Sequence, residues 1–293
     1  MKLTIITINY NNASGLNKTM ESVFAQTSKE FDYIVIDGGS VDGSVEIIQQ
    51  FTTEPNSKER RNNLSNLSFH YISEPDSGIY NAMNKGIQMA KGEYVQFLNS
   101  GDILAAADVT ERMLTYLFPF FQGEGLWVRF GADILYGNML KPLPRRILRD
   151  RGFAGRVPTM LDFYTGTLNH SSAYIRRSLF DRFGTYDETL KIVSDWKWYL
   201  KVIALNNVVP VYRNIDVSIF DMNGISSVNS KLEKAERGKV LEELLPLSVL
   251  HDYEQYAFPI EQLKRINRYW FTRTCFMLVE RILFKIEKWF KIK

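Results

Sequence analysis

The chain has 293 residues, 45% of them hydrophobic and 24% charged, with a net charge of +3. That composition excludes wholesale disorder, and the length suits one large domain with an appendage but not three independent cores. The single cysteine, Cys275, excludes an intrachain disulfide; with no charged-then-apolar leader and no run of about 18 apolar residues, a reducing cytoplasm is expected and a membrane span is not.

The first hundred residues alternate strand and helix as βαβ units do. Leu3 to Ile8 is an apolar run of strand length, and Asn9 to Asn12 is a polar break at its carboxyl end. Leu16, Met20, Val23 and Phe24 then recur at three to four residues, which predicts an amphipathic helix. A second strand, Tyr33 to Ile36, runs into Asp37-Gly38-Gly39-Ser40-Val41-Asp42-Gly43, where glycines let backbone amides approach a ligand. Ser44 to Phe51 resumes the helical pattern, residues 53 to 68 read as a polar surface excursion, and Phe69 to Ile72 as a short strand. Ser73 to Asp102 reads as loop, helix, tight turn and a buried strand, Tyr94 to Leu98, that ends in an exposed carboxylate.

Val109 to Phe118 predicts a helix and Ala132 to Tyr136 a strand. Lys141 to Arg156 holds six basic residues against one Asp, and its prolines and glycines predict a loop. Beyond it, Ser172 to Tyr174 and Val208 to Tyr212 are expected as strands, with Arg177 to Phe183 and Ser194 to Leu205 as helices. The basicity is concentrated in the tail, where eight Lys or Arg face only Glu280 and Glu287 from Arg265 onward. There Cys275, Leu278, Val279, Ile282, Ile286 and Trp289 share one helical face beside Arg281, Lys285 and Lys288. Such a helix either lies in an anionic membrane interface or packs on the main domain. Its aromatic-rich spacing does not point to nucleic acid.

Chemistry is expected at the acidic punctuation marks. Asp37 and Asp102 each follow a predicted buried strand, so parallel strands would gather them along one sheet edge, where open α/β sheets bind ligands. A hard divalent cation takes oxygen ligands and fills its shell with phosphate and water, which makes Asp102 a candidate metal ligand. Asp195 sits at a predicted helix start, where it is either held by backbone donors or serves as a base.

Several blocks in this order carry a resemblance: Ile8-Asn9-Tyr10-Asn11, the Asp37 to Gly43 turn, Ser73-Glu74-Pro75-Asp76-Ser77-Gly78-Ile79-Tyr80-Asn81-Ala82-Met83-Asn84-Lys85-Gly86, Phe97-Leu98-Asn99-Ser100-Gly101-Asp102, and Ser194-Asp195-Trp196. Over residues 3 to 228 the chain resembles the family 2 glycosyltransferases, nearest their colanic-acid WcaE-type branch. The resemblance implies a GT-A fold, an α/β architecture with a mixed, mainly parallel central sheet flanked by helices. It also implies a nucleotide-sugar donor, Mg²⁺ or Mn²⁺, and sugar transfer with inversion in bacterial surface polysaccharide biosynthesis. Residues 1–228 would form the catalytic domain, with a Rossmann-like donor half at 1–104 and an acceptor half at 105–228, and 229–293 a helical extension.

Carried over by position, Ile8, Asn9 and Tyr10 would line the nucleoside pocket, and Asp37 would seat base or ribose. Asp76, Gly78 and Asn84 match the donor loop and its helix, Ser100 and Gly101 would line the sugar-phosphate, Asp102 would bind the metal, and Asn99 would add a neutral oxygen. Asp195 matches the general base, with His170 and Trp196 on the acceptor side and Phe220 to Ser227 as a late loop over the phosphates. The chain departs from the family pattern at Gly38, where a second Asp is usual, at Met83, often Arg, and in retaining one carboxylate of the metal pair. Those departures leave a non-catalytic sugar-binding scaffold as the alternative. The family's frequent lipid-linked acceptors favour the membrane reading of the tail, on the cytoplasmic face of the inner membrane.

Overall fold

The computed structural model describes residues 2–53, 67–117, 131–222 and 229–291. Strand β1 (Leu3–Asn9) and strand β2 (Phe31–Asp37) are buried along their whole length, as strands covered on both faces by helices must be. Helix α1 (Ala13–Phe24) lies between them in sequence and buries Leu16, Met20 and Val23, the stripe expected from spacing. Helix α2 (Ser44–Thr53), β3 (Ser68–Ser73), helix α3 (Ile79–Met89) and β4 (Tyr94–Phe97) complete the amino-terminal part. The excursion expected at 53 to 68 lies mostly outside the described residues.

Then come β5 (Ile103–Leu104), α4 (Val109–Leu117), β6 (Ile134–Leu143), β7 (Arg146–Asp150), α5 (Met160–Thr165), a 3₁₀ turn at His170–Ser172, β8 (Ala173–Arg176) and α6 (Ser178–Phe183). Helix α7 (Ser194–Tyr199) passes into a π-helical segment (Leu200–Leu205) and is followed by β9 (Val211–Ile219). One mixed sheet runs β3-β2-β1-β4-β8-β6-β9-β5, with β7 paired to β6. The first four strands are parallel; β8 is antiparallel to both β4 and β6. This is the expected α/β sheet flanked by helices.

Two expectations are corrected here. Lys141 to Arg156 is not a loop throughout, because β6 and β7 form a hairpin paired from Met139↔Asp150 to Leu143↔Arg146. Pro142 is tolerated because beyond Leu140 strand β6 pairs with β7 alone and so forms an edge. The last strand starts at Val211, not Val208, and runs on to Ile219 because its polar residues have partners: Asp216 binds Asn138 and Arg149.

The chain divides into two compact units, Met1–Gly238 and Lys239–Lys293. The division falls inside helix α8 (Ser230–Leu244), ten residues beyond the boundary drawn from sequence. The second unit contains α9 (Leu247–Asn267) and α10 (Trp270–Lys291). No helix among the described residues is long and apolar enough to cross a membrane.

Candidate active site

Because β1, β2 and β4 are parallel neighbours, their carboxyl ends deliver Asn9, Asp37 and the Asn99–Asp102 turn to one sheet edge. Asp37 is fully buried. Its Oδ1 accepts from Asn9 Nδ2 at 2.8 Å and Ser40 Oγ at 2.6 Å, and its Oδ2 from the Ser40 amide at 3.0 Å and Ser73 Oγ at 2.7 Å. Burial opposes its charge, but these donors outweigh burial and hold the carboxyl below its ordinary range. Both oxygens are therefore committed to shaping the turn, which corrects the expectation that Asp37 itself seats base or ribose. Asp42 caps α1 through the Ala13 amide at 2.8 Å and binds Ser44.

Tyr10 is 67% exposed at the end of β1, and Ile8 beneath it is buried. A Cβ added at Gly38 would meet Asp76 Oδ2 at 2.6 Å and Tyr10 Cδ2 at 3.1 Å. The bare backbone at Gly38 thus makes room for the Asp76 carboxylate, whose Oδ1 accepts the Gly78 amide at 2.9 Å. Gly78 has a φ of 135°, which side-chain-bearing residues avoid.

Asp102 is buried, 3% exposed, not exposed as its strand-end position implied. Its cover comes from distant segments: Thr19 Oγ1 donates to its backbone carbonyl at 2.7 Å, and the Asp221 amide donates to Oδ1 at 2.8 Å. Oδ2 of Asp102 and Oδ1 of Asn99 are buried without a protein partner. A Cβ on Gly101 would meet Asp221 Oδ2 at 2.5 Å, so a second carboxylate stands beside the turn. Burial pushes Asp102 up to about 7; the Asp221 amide and the His170 charge lower it, and the Asp221 carboxylate raises it. Unpartnered, buried carboxylate and amide oxygens suit a hard divalent cation. No three His, Cys, Asp or Glu converge among the described residues, so such an ion would draw most of its shell from phosphate and water. Ser100 ties this turn to α1, its Oγ donating to the Asn12 carbonyl at 3.2 Å.

His170, in the 3₁₀ turn before β8, joins this turn to Asp195. Its Nε2 lies 3.1 Å from the Asn99 amide nitrogen and its Nδ1 3.1 Å from Asp195 Oδ2. In the neutral ring, with Nδ1–H donated to Asp195, Nε2 accepts from the Asn99 amide; in the charged ring both nitrogens donate, and the Asn99 side chain turns its oxygen to Nε2. Burial works against a charge on His170, but the hydrogen bond and charge of Asp195, with the charge of Asp102, raise it above its ordinary value. Burial likewise opposes the Asp195 charge, and His170, the Trp196 amide and the Tyr80 hydroxyl together lower its carboxyl. Tyr80 Oη lies 3.0 Å from Asp195 Oδ1 and 2.5 Å from the Ile192 carbonyl. The Asp195 side chain keeps 17% of its surface exposed. The single Tyr80 proton is shared between the Ile192 carbonyl and Asp195, and an ionised, partly open carboxylate aligned by His170 and this shared hydroxyl can accept a proton from an incoming hydroxyl.

Two further expected substrate contacts are corrected. Asn84 is buried and its amide is spent on the 186–188 turn: Nδ2 donates to the Tyr186 carbonyl and Glu188, and Oδ1 accepts the Tyr186 amide. Trp196 is 2% exposed, with Nε1 donating to the Phe163 carbonyl at 2.8 Å, so it is a core side chain. Asp187 pairs with Lys197 at 2.8 Å and has a structural role. Residues 223–227 of the late loop lie outside the described residues. Sequence reasoning missed Tyr80 and Asp221. Tyr80 stands inside the donor-loop block and Asp221 inside the late loop Phe220 to Ser227, which were the available signals; neither residue was singled out within its segment.

The profile of the family described as "Glycosyl transferase family 2" matches residues 4–119. A "PGL/p-HBAD biosynthesis glycosyltransferase" of Mycobacterium bovis is 27% identical over 227 residues, 76% of this chain and 78% of the relative. An "Uncharacterized glycosyltransferase" of Mycobacterium tuberculosis is 30% identical over 228 residues, 77% of each chain. Among solved structures, S. aureus TarS in complex with UDP-GlcNAc superposes with a TM-score of 0.61 at 20% identity over 82% of this chain. The mannosyltransferase PcManGT from Pyrobaculum calidifontis, in complex with GDP-Man and Mn²⁺, superposes with a TM-score of 0.55 at 16% identity over 77%. The matched region spans 64% of the TarS chain and 58% of the PcManGT chain.

Proposed function

Because the chain belongs to glycosyl transferase family 2, we propose that it moves a sugar from a nucleotide-sugar donor to a hydroxyl of a glycan acceptor, with inversion at the anomeric carbon. The observation that carries this reading is the His170 bridge, which sets the base Asp195 and the strand-end turn at Asn99–Asp102 on either side of one imidazole. Asp195 takes the acceptor hydroxyl proton as the oxygen attacks the anomeric carbon; the bond to the diphosphate breaks, and its electron pair leaves with the nucleoside diphosphate. Tyr80 and His170 keep Asp195 ionised and pointed. General-base assistance of this kind contributes about 10²–10⁴-fold. Tyr10, Gly38 and Asp76 would receive the base and ribose, while Ser100 and Gly101 would face the sugar-phosphate.

Asp102, with Asn99 and Asp221 beside it, would hold Mg²⁺ or Mn²⁺. Such an ion would neutralise charge on the departing diphosphate. A catalytically silent scaffold would have no use for an ionised, partly open carboxylate aligned by His170, so the enzyme reading is preferred.

The acceptor is read as a lipid-linked glycan, the product as bacterial surface glycan, and the place of action as the cytoplasmic face of the inner membrane. Support comes from the relatives named for PGL/p-HBAD biosynthesis and from the tail. On α10, Leu278, Ile282, Ile286 and Trp289 are exposed beside Arg281, Lys285 and Lys288, a composition suited to an anionic interface. The nearness to WcaE-type enzymes rests on motif order alone. The deciding experiment is a binding and turnover screen of UDP-, GDP- and dTDP-sugars with a native lipid extract, with and without Mn²⁺. Turnover of one donor supports the reading, and no binding or turnover of any overturns it.

A further inference from the structure

Two consecutive residues of helix α8, Glu236 and Arg237, grip the chain on both sides of Asp195. Glu236 is buried, 7% exposed. One carboxylate oxygen accepts the Lys191 amide at 2.8 Å, and the other accepts the amides of Ile192 at 2.9 Å and Val193 at 3.3 Å. Three successive N–H groups converging on one carboxylate form an anion nest, filled here by the protein's own side chain. A buried carboxylate is tolerated only when so paired, so the charge and the loop conformation require each other.

The loop held in this way delivers the base. Ile192 gives its amide to Glu236 and its carbonyl to the Tyr80 hydroxyl, the same hydroxyl that reaches Asp195. Val193 gives its amide to Glu236, and its carbonyl accepts the Lys197 amide at 2.8 Å in the first turn of α7. On the far side of Asp195, the Arg237 guanidinium lies 4.6 Å from the centre of the Trp196 ring. It also donates to the Gly166 carbonyl at 3.3 Å and pairs with Glu233 at 3.1 Å.

We propose that Glu236 is a positioning residue for the base, holding residues 191–193 so that Tyr80 and Asp195 stay in register. The proposal rests on the reading of Asp195 as proton acceptor. The titratable and charged groups that act on Asp195 are His170, Tyr80, Tyr186, Tyr199 and Arg237. Glu236 makes no hydrogen bond to Asp195 and works through the loop.

The test compares full-length wild type, Glu236→Gln and Glu236→Asp. It measures kcat, KM for the donor and the pH profile of kcat, with active sites counted by nucleotide binding. Gln keeps the size but turns an NH₂ group on the amide donors, whereas Asp keeps the charge. In Glu236→Gln, kcat should fall roughly 10- to 100-fold, since misplacement by about 1 Å can cost that much. Its donor KM should be unchanged. The acid limb of the profile should move to higher pH as Asp195 loses the Tyr80 hydroxyl, and Glu236→Asp should recover part of both. A wild-type kcat per active site in Glu236→Gln, or a loss with an unmoved acid limb, overturns the proposal. Absence of transfer by the wild type, or full turnover by Asp195→Asn, overturns the underlying reading instead, and shows without any change at Glu236.

Discussion

Replacing Asp102 by Asn should stabilise the metal-free protein at alkaline pH. The carboxyl is pushed from an ordinary 3.8 up to about 7, chiefly by burial. Between those values the folded protein binds a proton that the unfolded chain has released, so stability falls as pH rises through the window and is lowest above it. A gap of about three pH units at 1.36 kcal/mol each makes the ionised group costly by on the order of 4 kcal/mol. The amide introduced by Asp102→Asn carries no charge to bury and can still accept the Asp221 amide, but its NH₂ is left without a partner at a cost of about 1–3 kcal/mol. A net gain of about 2 kcal/mol raises Tm by roughly 4–8 °C for a unit of this size. Thermal unfolding with chelator at pH 8.5 should show that rise, and at pH 5.5 the advantage should shrink or reverse. Equal melting of wild type and variant at pH 8.5, or a difference indifferent to pH, would refute the assignment of the buried charge. Excess Mn²⁺ at pH 8.5 should stabilise the wild type alone.

Asp195→Asn should lower turnover by about 10²–10⁴-fold while nucleotide-sugar binding by calorimetry is preserved; residual turnover near wild type would remove the base from Asp195. Asp221→Asn should weaken Mn²⁺ binding roughly tenfold in the presence of a nucleoside diphosphate, read by electron paramagnetic resonance, because ligand charge sets cation affinity. Unchanged affinity would leave Asp102 as the lone carboxylate. Deleting residues 265–293 should abolish partitioning onto anionic vesicles and leave it unaffected on neutral ones, and unchanged partitioning would exclude the tail as the membrane contact.

The donor side was legible because its strands are continuous apolar runs and its turns are dense in glycine and carboxylates, local features that need no partner. Asp195 could be placed at a helix start for the same reason. What could not be read was where side chains spend their hydrogen bonds. Asn84 and Trp196 sit in substrate-like positions of their motifs, yet one braces the 186–188 turn and the other fills the core. Tyr80 and Asp195 are 115 residues apart in the chain, and no local pattern announces their contact. The hairpin at β6–β7 was hidden by proline and glycine, which carry turn signals but are accommodated at an edge. Glu236 escaped notice because it lies beyond the last motif, on a helix whose polar residues look merely solvated.

The antiparallel pairing of β4 with β8 has a consequence for dissection of the enzyme. The segments proposed for donor and acceptor occupy different stretches of chain, but both are sewn into one sheet across that pair of strands, with β1 on the other side of β4. A fragment ending near residue 104 would present β4, with buried Tyr94, Val95 and Phe97, as a bare apolar edge. Such edges recruit other chains and aggregate. Donor specificity is therefore better exchanged between relatives by transplanting the turns at the sheet's carboxyl edge than by swapping halves of the polypeptide.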